Sequence, residues 1–268
     1  MNTTKLDFEA QEKRDLTQKT VYPILFSIAF AHLLNDMLQA VIPSVYPILK
    51  DSYSLTFTQI GLITFAYQMA ASILQPFVGF YTDKKPQPYS QIYGMLFTLS
   101  GIILLSYAAN FYIIILSVIL VGIGSSIFHP EASRISFLAS GGKRGLAQSV
   151  FQLGGNAGTA IGPLLVALIV VPNSQKYILS FVIVAVIALF VLGSIARWYD
   201  NHLTLRSKKK VEVVLPDLSQ KRIVISVIIL LVLIFSKFFY MASMSSYFTF
   251  YLIEKFNLSV QDAQFHLF

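Results

Sequence analysis

His32, Asn35, Asp36 and Gln39 are spaced i, i+3, i+4, i+7 within an apolar run from Val21 to Leu49. On a helix that spacing puts all four side chains on one face. The run is long enough to cross a bilayer, and Asp36 falls about 15 residues, roughly 22 Å, beyond its start. A carboxylate at that depth is costly unless it faces protein or water, so Asp36 marks a solute or ion pathway. The chemistry on offer is proton exchange at an acid surrounded by hydrogen-bonding amides.

Other polar stripes need a home on the same pathway. Gln68, Ser72, Gln75 and Gly79 follow helical spacing in a second apolar run, where Pro76 favours a kink. Gln148, Gln152, Asn156 and Thr159 do so in a fifth. Single polar groups glue membrane helices together, but three stripes are better explained by one shared hydrated cavity. Lys237 lies about 15 residues into a seventh run, at the depth of Asp36, with Tyr240, Met241, Met244 and Tyr247 on its face. A buried acid and a buried base at matching depths are expected to face one another across that cavity.

The elements that position these residues follow from composition. The chain is 55 % hydrophobic and 12 % charged, with a mean hydropathy of +0.66; soluble domains carry about 25 % charged residues. Seven apolar runs, 21–49, 58–82, 89–109, 111–133, 145–171, 177–198 and 222–253, are each about 20 residues or longer, the length needed to span a bilayer. Backbone groups in lipid must be satisfied internally, so the runs are helices and the fold is an all-α polytopic membrane protein.

The net charge of +7 is a topology signal and gives no reason to expect nucleic acid. Sixteen of the 20 Lys and Arg fall before the first run or in the links after the second, fourth and sixth, which places the N-terminus in the cytoplasm. Residues 1–20 are polar and lack the features of a cleaved signal peptide. They form a cytoplasmic segment before a six-helix bundle at 21–198. A basic cytoplasmic linker at 199–221 leads to 222–268, the first helix of a second half and the start of the next. Two six-helix halves nested from three-helix inverted repeats would have this layout, with the second half left unfinished here. Cysteine is absent, and no nucleophile–His–acid set, phosphate loop or metal-spaced cluster stands out. Neither an enzyme, a metal nor a cofactor is expected.

The segment Gly79-Phe-Tyr-Thr-Asp83-Lys84-Lys85-Pro-Gln-Pro resembles the cytoplasmic loop signature of the major facilitator superfamily. Gly79, Asp83 and Lys84 match, while Pro86, Gln87 and Pro88 replace its second glycine and final basic pair. The resemblance implies close helix approach at Gly79 and an inward gate held by Asp83. Gly158-Thr-Ala-Ile-Gly162-Pro163 resembles the packing motif of the superfamily's drug/proton antiporters, although Ser117 stands where their fourth helix has a coupling Arg. The stretches His32-Leu-Leu-Asn-Asp36, Ser125-Ser126-Ile-Phe-His129-Pro130-Glu131-Ala-Ser-Arg134, Gly145-Leu-Ala-Gln148 through Asn156, and Phe235-Ser-Lys237-Phe-Phe-Tyr240 are closely similar to the fosmidomycin-resistance group of bacterial facilitators. Over residues 30–268 that resemblance implies a twelve-helix exporter in the bacterial inner membrane. It would be driven by the proton gradient and act on fosmidomycin-like compounds.

Such compounds carry a phosphonate, so the expected partners are an anionic small molecule, protons and lipid. Completion by further helices or a partner chain is also expected. Lys237 and His32 are the candidate cationic groups, with Asn35, Gln39, Gln68, Gln152, Asn156 and Tyr240 as neutral donors and Asp36 as the proton carrier. Glu131 and Arg134, at i and i+3, read equally as an interfacial salt bridge or, with His129 and Asp83, as a coupling or gating cluster. Alternatives are a facilitator of a sugar or organic anion, or an exporter fragment without activity. A retinal protein, with Lys237 as Schiff base, conflicts with the N-terminal orientation and the single tryptophan, Trp198.

Overall fold

The structure, a computed structural model, describes residues 19–206 and 219–268. The polar stretch 1–18 and the centre of the basic linker, 207–218, with Lys208–Lys210 and Pro216, lie outside the described residues. The first apolar run forms α1 (Tyr22–Ser44) and, after a break at Val45, the short α2 (Tyr46–Tyr53). Each opens with proline in its first turn, where no backbone donor is needed. The left-handed Ser54 ends α2. α3 (Phe57–Lys84) starts at a capping box in which Thr56 Oγ1 accepts from Gln59 N and Thr56 N donates to Gln59 Oε1. α4 (Ser90–Ser106) precedes α5 (Phe111–Ala139), which is capped by the Asn110 side chain. Gly141 and Gly142, at φ 55° and 87°, make the left-handed turn into α6 (Arg144–Leu165).

Past Pro163, α6 widens into one turn of π-helix, Val166–Val170. A 3₁₀ segment, Gln175–Phe181, leads into α7 (Val182–Arg206). α8 (Gln220–Phe256) ends at the left-handed Asn257, and α9 (Val260–Leu267) begins at the Ser259 cap. All regular structure among the described residues is helical.

Six helical stretches are long and apolar enough to cross a membrane: Tyr22–Tyr53, Phe57–Lys84, Phe111–Ala139, Arg144–Val170, Gln175–Thr204 and Gln220–Phe256. The remaining expected span, 89–109, is the 17-residue α4, about 25 Å long. It is shorter than its apolar run because the chain leaves the helix at Tyr107. Tyr53 donates its hydroxyl to the Ala108 carbonyl, and Gln175 Nε2 donates to Leu105 O at 2.8 Å and Ala108 O at 3.1 Å. The sixth helix is longer than its run and carries residues 199–206 of the expected linker as helix.

α1 packs on α6 and α7, while α5 packs on α3 and α4. Counted as spans, one on five is matched by four on two, and one on six by four on three, so spans one to three and four to six repeat one packing scheme. Small residues set how close the helices come. A methyl on Gly154 or Gly158 of α6 would overlap the Ala29 or Leu33 carbonyl of α1, and one on Gly162 would lie 2.5 Å from the Ala40 Cβ. Gly122 of α5 meets α3 in the same way, with the Ala70 Cβ 2.8 Å from the added atom. A large apolar core, including Ile28, Leu38, Val121, Phe128 and Phe181, fills the space between, with a small satellite of Leu25, Ala139 and Ala147. α8 leans on this bundle only towards its C-terminal end, through Ser246, Thr249, Phe250 and Leu252.

Candidate functional site

Asp36 sits where α1, α3, α5 and α6 meet. Its Oδ2 is 3.1 Å from His32 Nε2, one turn earlier on α1, and its Oδ1 is 3.7 Å from His129 Nε2 on α5. Asn35 Nδ2 donates to Oδ1 at 3.1 Å, and Gln39 Nε2 approaches the same oxygen at 3.5 Å. Gln39 Oε1 in turn accepts from the Tyr67 hydroxyl of α3 and from Ser125 Oγ of α5, the latter at 3.2 Å. The four residues read from one helical face therefore do share a centre, and Gln39 ties it to two neighbouring helices.

The imidazole of His32 is fixed on both sides. It is 3 % exposed, its ring stacks on Phe151 of α6 with centroids 3.9 Å apart, and its Nδ1 lies 2.8 Å from the Phe151 carbonyl oxygen. A carbonyl only accepts, so Nδ1 carries the hydrogen and Nε2 is the nitrogen presented to Asp36. At 3.1 Å, Nε2 and Oδ2 attract with a proton or another cation between them; without one, two lone pairs face each other.

A second charged cluster lies at the far end of α3. Arg134 of α5 pairs with Asp83 and donates to the Thr82 carbonyl at 2.5 Å, to Thr82 Oγ1 at 3.2 Å and to the Gly79 carbonyl at 3.5 Å. Its Nη1 is also 3.0 Å from Oε1 of the buried Glu131. That contact is an ion pair by distance only, because neither Glu131 oxygen has an aligned donor among the described residues. One guanidinium thus satisfies the C-terminal carbonyls of α3 and offsets two acids. The Glu131–Arg134 pair is joined by Asp83, whereas His129, expected in the same cluster, lies instead against Asp36. Lys84, at the same end, lies 3.9 Å above the Phe80 ring.

The remaining candidates distribute plainly. Gln68 and Ser72 are exposed on α3 with Gln75 half-buried, and Gln148, Gln152, Asn156 and Thr159 form an exposed polar stripe on α6. Gly158 and Gly162 are buried against α1, and Pro163 is buried beside them. Lys237 and Tyr240 are exposed on α8. The expected pairing of Lys237 with Asp36 is not formed: the ammonium lies 5.6 Å from the Phe238 ring, and Asp36 takes its ionic partners from His32 and His129. The reason is geometric, since α8 first meets the bundle near Ser246, about 13 Å along the helix from Lys237.

Sequence reasoning missed Phe151, Tyr67 and Thr82, whose roles come from a backbone carbonyl or from helix pairing and leave no spacing signal. It also found no metal-spaced cluster, whereas the fold brings ligand atoms of His32, Asp36 and His129 within 4.8 Å of one another. The two histidines are too far apart in the chain for any local motif to reveal this.

Comparison with known proteins fits the architecture. The profile of the Major Facilitator Superfamily matches residues 28–267. The chain is 52 % identical over 251 residues to the fosmidomycin resistance protein of Escherichia coli (strain K12), covering 93 % of this chain and 62 % of that protein. It is 44 % identical to the uncharacterized MFS-type transporter YfnC of Bacillus subtilis (strain 168), with the same coverage. The chain thus spans about three fifths of the length of these relatives. Among solved structures, a bacterial homolog of the human lysosomal transporter Spinster, inward-facing and unoccupied, superposes with a TM-score of 0.67 at 15 % identity, over 93 % of this chain and 59 % of that one. Fold, membrane spans and sequence agree that this chain belongs to the Major Facilitator Superfamily, a family of transporters of small molecules and not of enzymes.

Proposed function

We propose that the protein works in a proton-driven exporter of fosmidomycin-like phosphonates or related anions in the bacterial inner membrane, with its N-terminus in the cytoplasm. The observation that carries this reading is the 3.1 Å approach of His32 Nε2 to Asp36 Oδ2 in the middle of a membrane span, a geometry that can share one proton. Export then exchanges that proton for the substrate as the two halves rock around a midplane site. The exposed amides of α3 and α6 line the path. Lys237 acts as a point charge for the phosphonate once α8 closes on the bundle. The Arg134–Asp83–Glu131 cluster holds the cytoplasmic end of α3 and α5 shut between cycles.

The relative named for fosmidomycin resistance supports the substrate class. The test is to produce the full-length polypeptide in a bacterium whose own exporter of the drug has been deleted, and to measure the minimal inhibitory concentration of fosmidomycin. A several-fold rise that a protonophore abolishes is expected. An unchanged concentration, or a rise insensitive to the protonophore, contradicts the proposal.

A further inference from the structure

We infer that His32, Asp36 and His129 form a binding site for a divalent transition-metal ion of the zinc class. Two imidazole nitrogens and one carboxylate are a borderline donor set that suits Zn²⁺ or Co²⁺; Ca²⁺ and Mg²⁺ demand mostly oxygen. Donors about 2.1 Å from one tetrahedral ion stand about 3.4 Å apart; Asp36 Oδ2 is 3.1 Å from His32 Nε2, Oδ1 is 3.7 Å from His129 Nε2, and one ligand atom from each residue lies within 4.8 Å of the others, so small side-chain shifts bring all three onto one ion.

Two further features prepare the site. The Phe151 carbonyl holds the hydrogen of His32 on Nδ1 and leaves the Nε2 lone pair directed at Asp36, the outer-shell arrangement that orients metal-bound imidazoles. Gly155 lets α6 close against this pair: a Cβ built there would lie 2.4 Å from His32 Cε1, 2.5 Å from His32 Nε2 and 2.8 Å from Asp36 Oδ2, so any side chain would push the two ligands out of place. An ion entering between the ligands displaces the shared proton to water and ties α1 to α5. Inhibition of transport by the metal follows from the proton-coupled reading, whereas binding does not depend on it.

The experiment is a Co²⁺ titration of the full-length protein in detergent, read by the visible absorption of low-symmetry cobalt and by displacement with Zn²⁺. Single substitutions assign the signal. Expected is one equivalent bound, weakened more than about tenfold by Asp36→Asn and by His129→Gln, and unaffected by His266→Ala. Gly155→Ala removes no ligand and is expected to weaken binding as strongly by pushing His32 and Asp36 out of place. Thermal denaturation identifies any variant that fails to fold, and His129→Gln, at a half-exposed position, is the variant on which the result rests. Absence of a cobalt band, or a band that survives His129→Gln or disappears with His266→Ala, overturns the site. Metal binding without drug export would overturn only the proposed function, and export without metal binding only this inference.

Discussion

Phe151 holds His32 twice, through its backbone carbonyl on Nδ1 at 2.8 Å and through its ring stacked at 3.9 Å. One residue of α6 thereby fixes both the tautomer and the plane of an imidazole on α1, and with them the direction from which a proton reaches Asp36. Phe151→Leu keeps the carbonyl and removes the stacking surface. It is expected to lower proton-driven transport several-fold while the protein remains folded, as read by transport rates beside a melting curve. Unchanged transport would mean that the carbonyl alone positions the ring.

Arg134 neutralises a buried acid, and its removal should show it. Taking away one partner of a buried pair costs about 3–5 kcal/mol because the other charge is left uncompensated. Arg134→Gln is therefore expected to reduce the melting temperature strongly, and Glu131→Gln added to it to recover much of the loss. Equal melting temperatures for the single and double variants would show that Glu131 is not the charge Arg134 offsets.

The contact between α1 and α6 depends on the absence of side chains at Gly154 and Gly158. Gly158→Val forces a branched side chain against the Leu33 carbonyl, and overpacking of this kind costs about 1–3 kcal/mol. Thermal unfolding in detergent should show the loss. The same substitution at Gly145, where an added Cβ meets nothing within 4 Å, should leave stability nearly unchanged.

On the proposed reading, Lys237 is the cationic group that meets an anionic substrate. Lys237→Gln should weaken phosphonate binding about tenfold, the effect of losing about 1.4 kcal/mol, and Lys237→Arg should restore part of it. Equilibrium binding of a labelled phosphonate to the full-length protein checks this. Equal affinity in Lys237→Gln would remove Lys237 from the site.

Much of this arrangement is legible in the sequence because membrane helices write their length and their wet face directly into it. The spacing of His32, Asn35, Asp36 and Gln39 is enough to place a polar centre in the first span, and the stripes expected to line a cavity lie on α3 and α6 with Gln68, Ser72, Gln148, Gln152, Asn156 and Thr159 exposed and Gln75 half-buried. Contacts between distant helices are less legible. Nothing in local spacing links His129 to Asp36 or Tyr67 to Gln39; those contacts exist because glycines let α1, α3, α5 and α6 approach closely. Depth alone also matched Lys237 to Asp36, but equal depth does not ensure proximity when the two helices meet only near one end. Helix ends were blurred for a related reason: hydropathy does not register the side chains of Tyr53 and Gln175, which satisfy the freed carbonyls where α4 stops.

The central claim is that Asp36 carries the proton that drives export. The most direct test reconstitutes the full-length protein and its Asp36→Asn variant in proteoliposomes, imposes a pH gradient and follows a labelled phosphonate. Asparagine preserves the shape of the site and cannot take up a proton at Oδ2. Expected is substrate binding close to wild type with gradient-driven transport abolished in the variant. Gradient-driven transport at the wild-type rate in Asp36→Asn contradicts the claim.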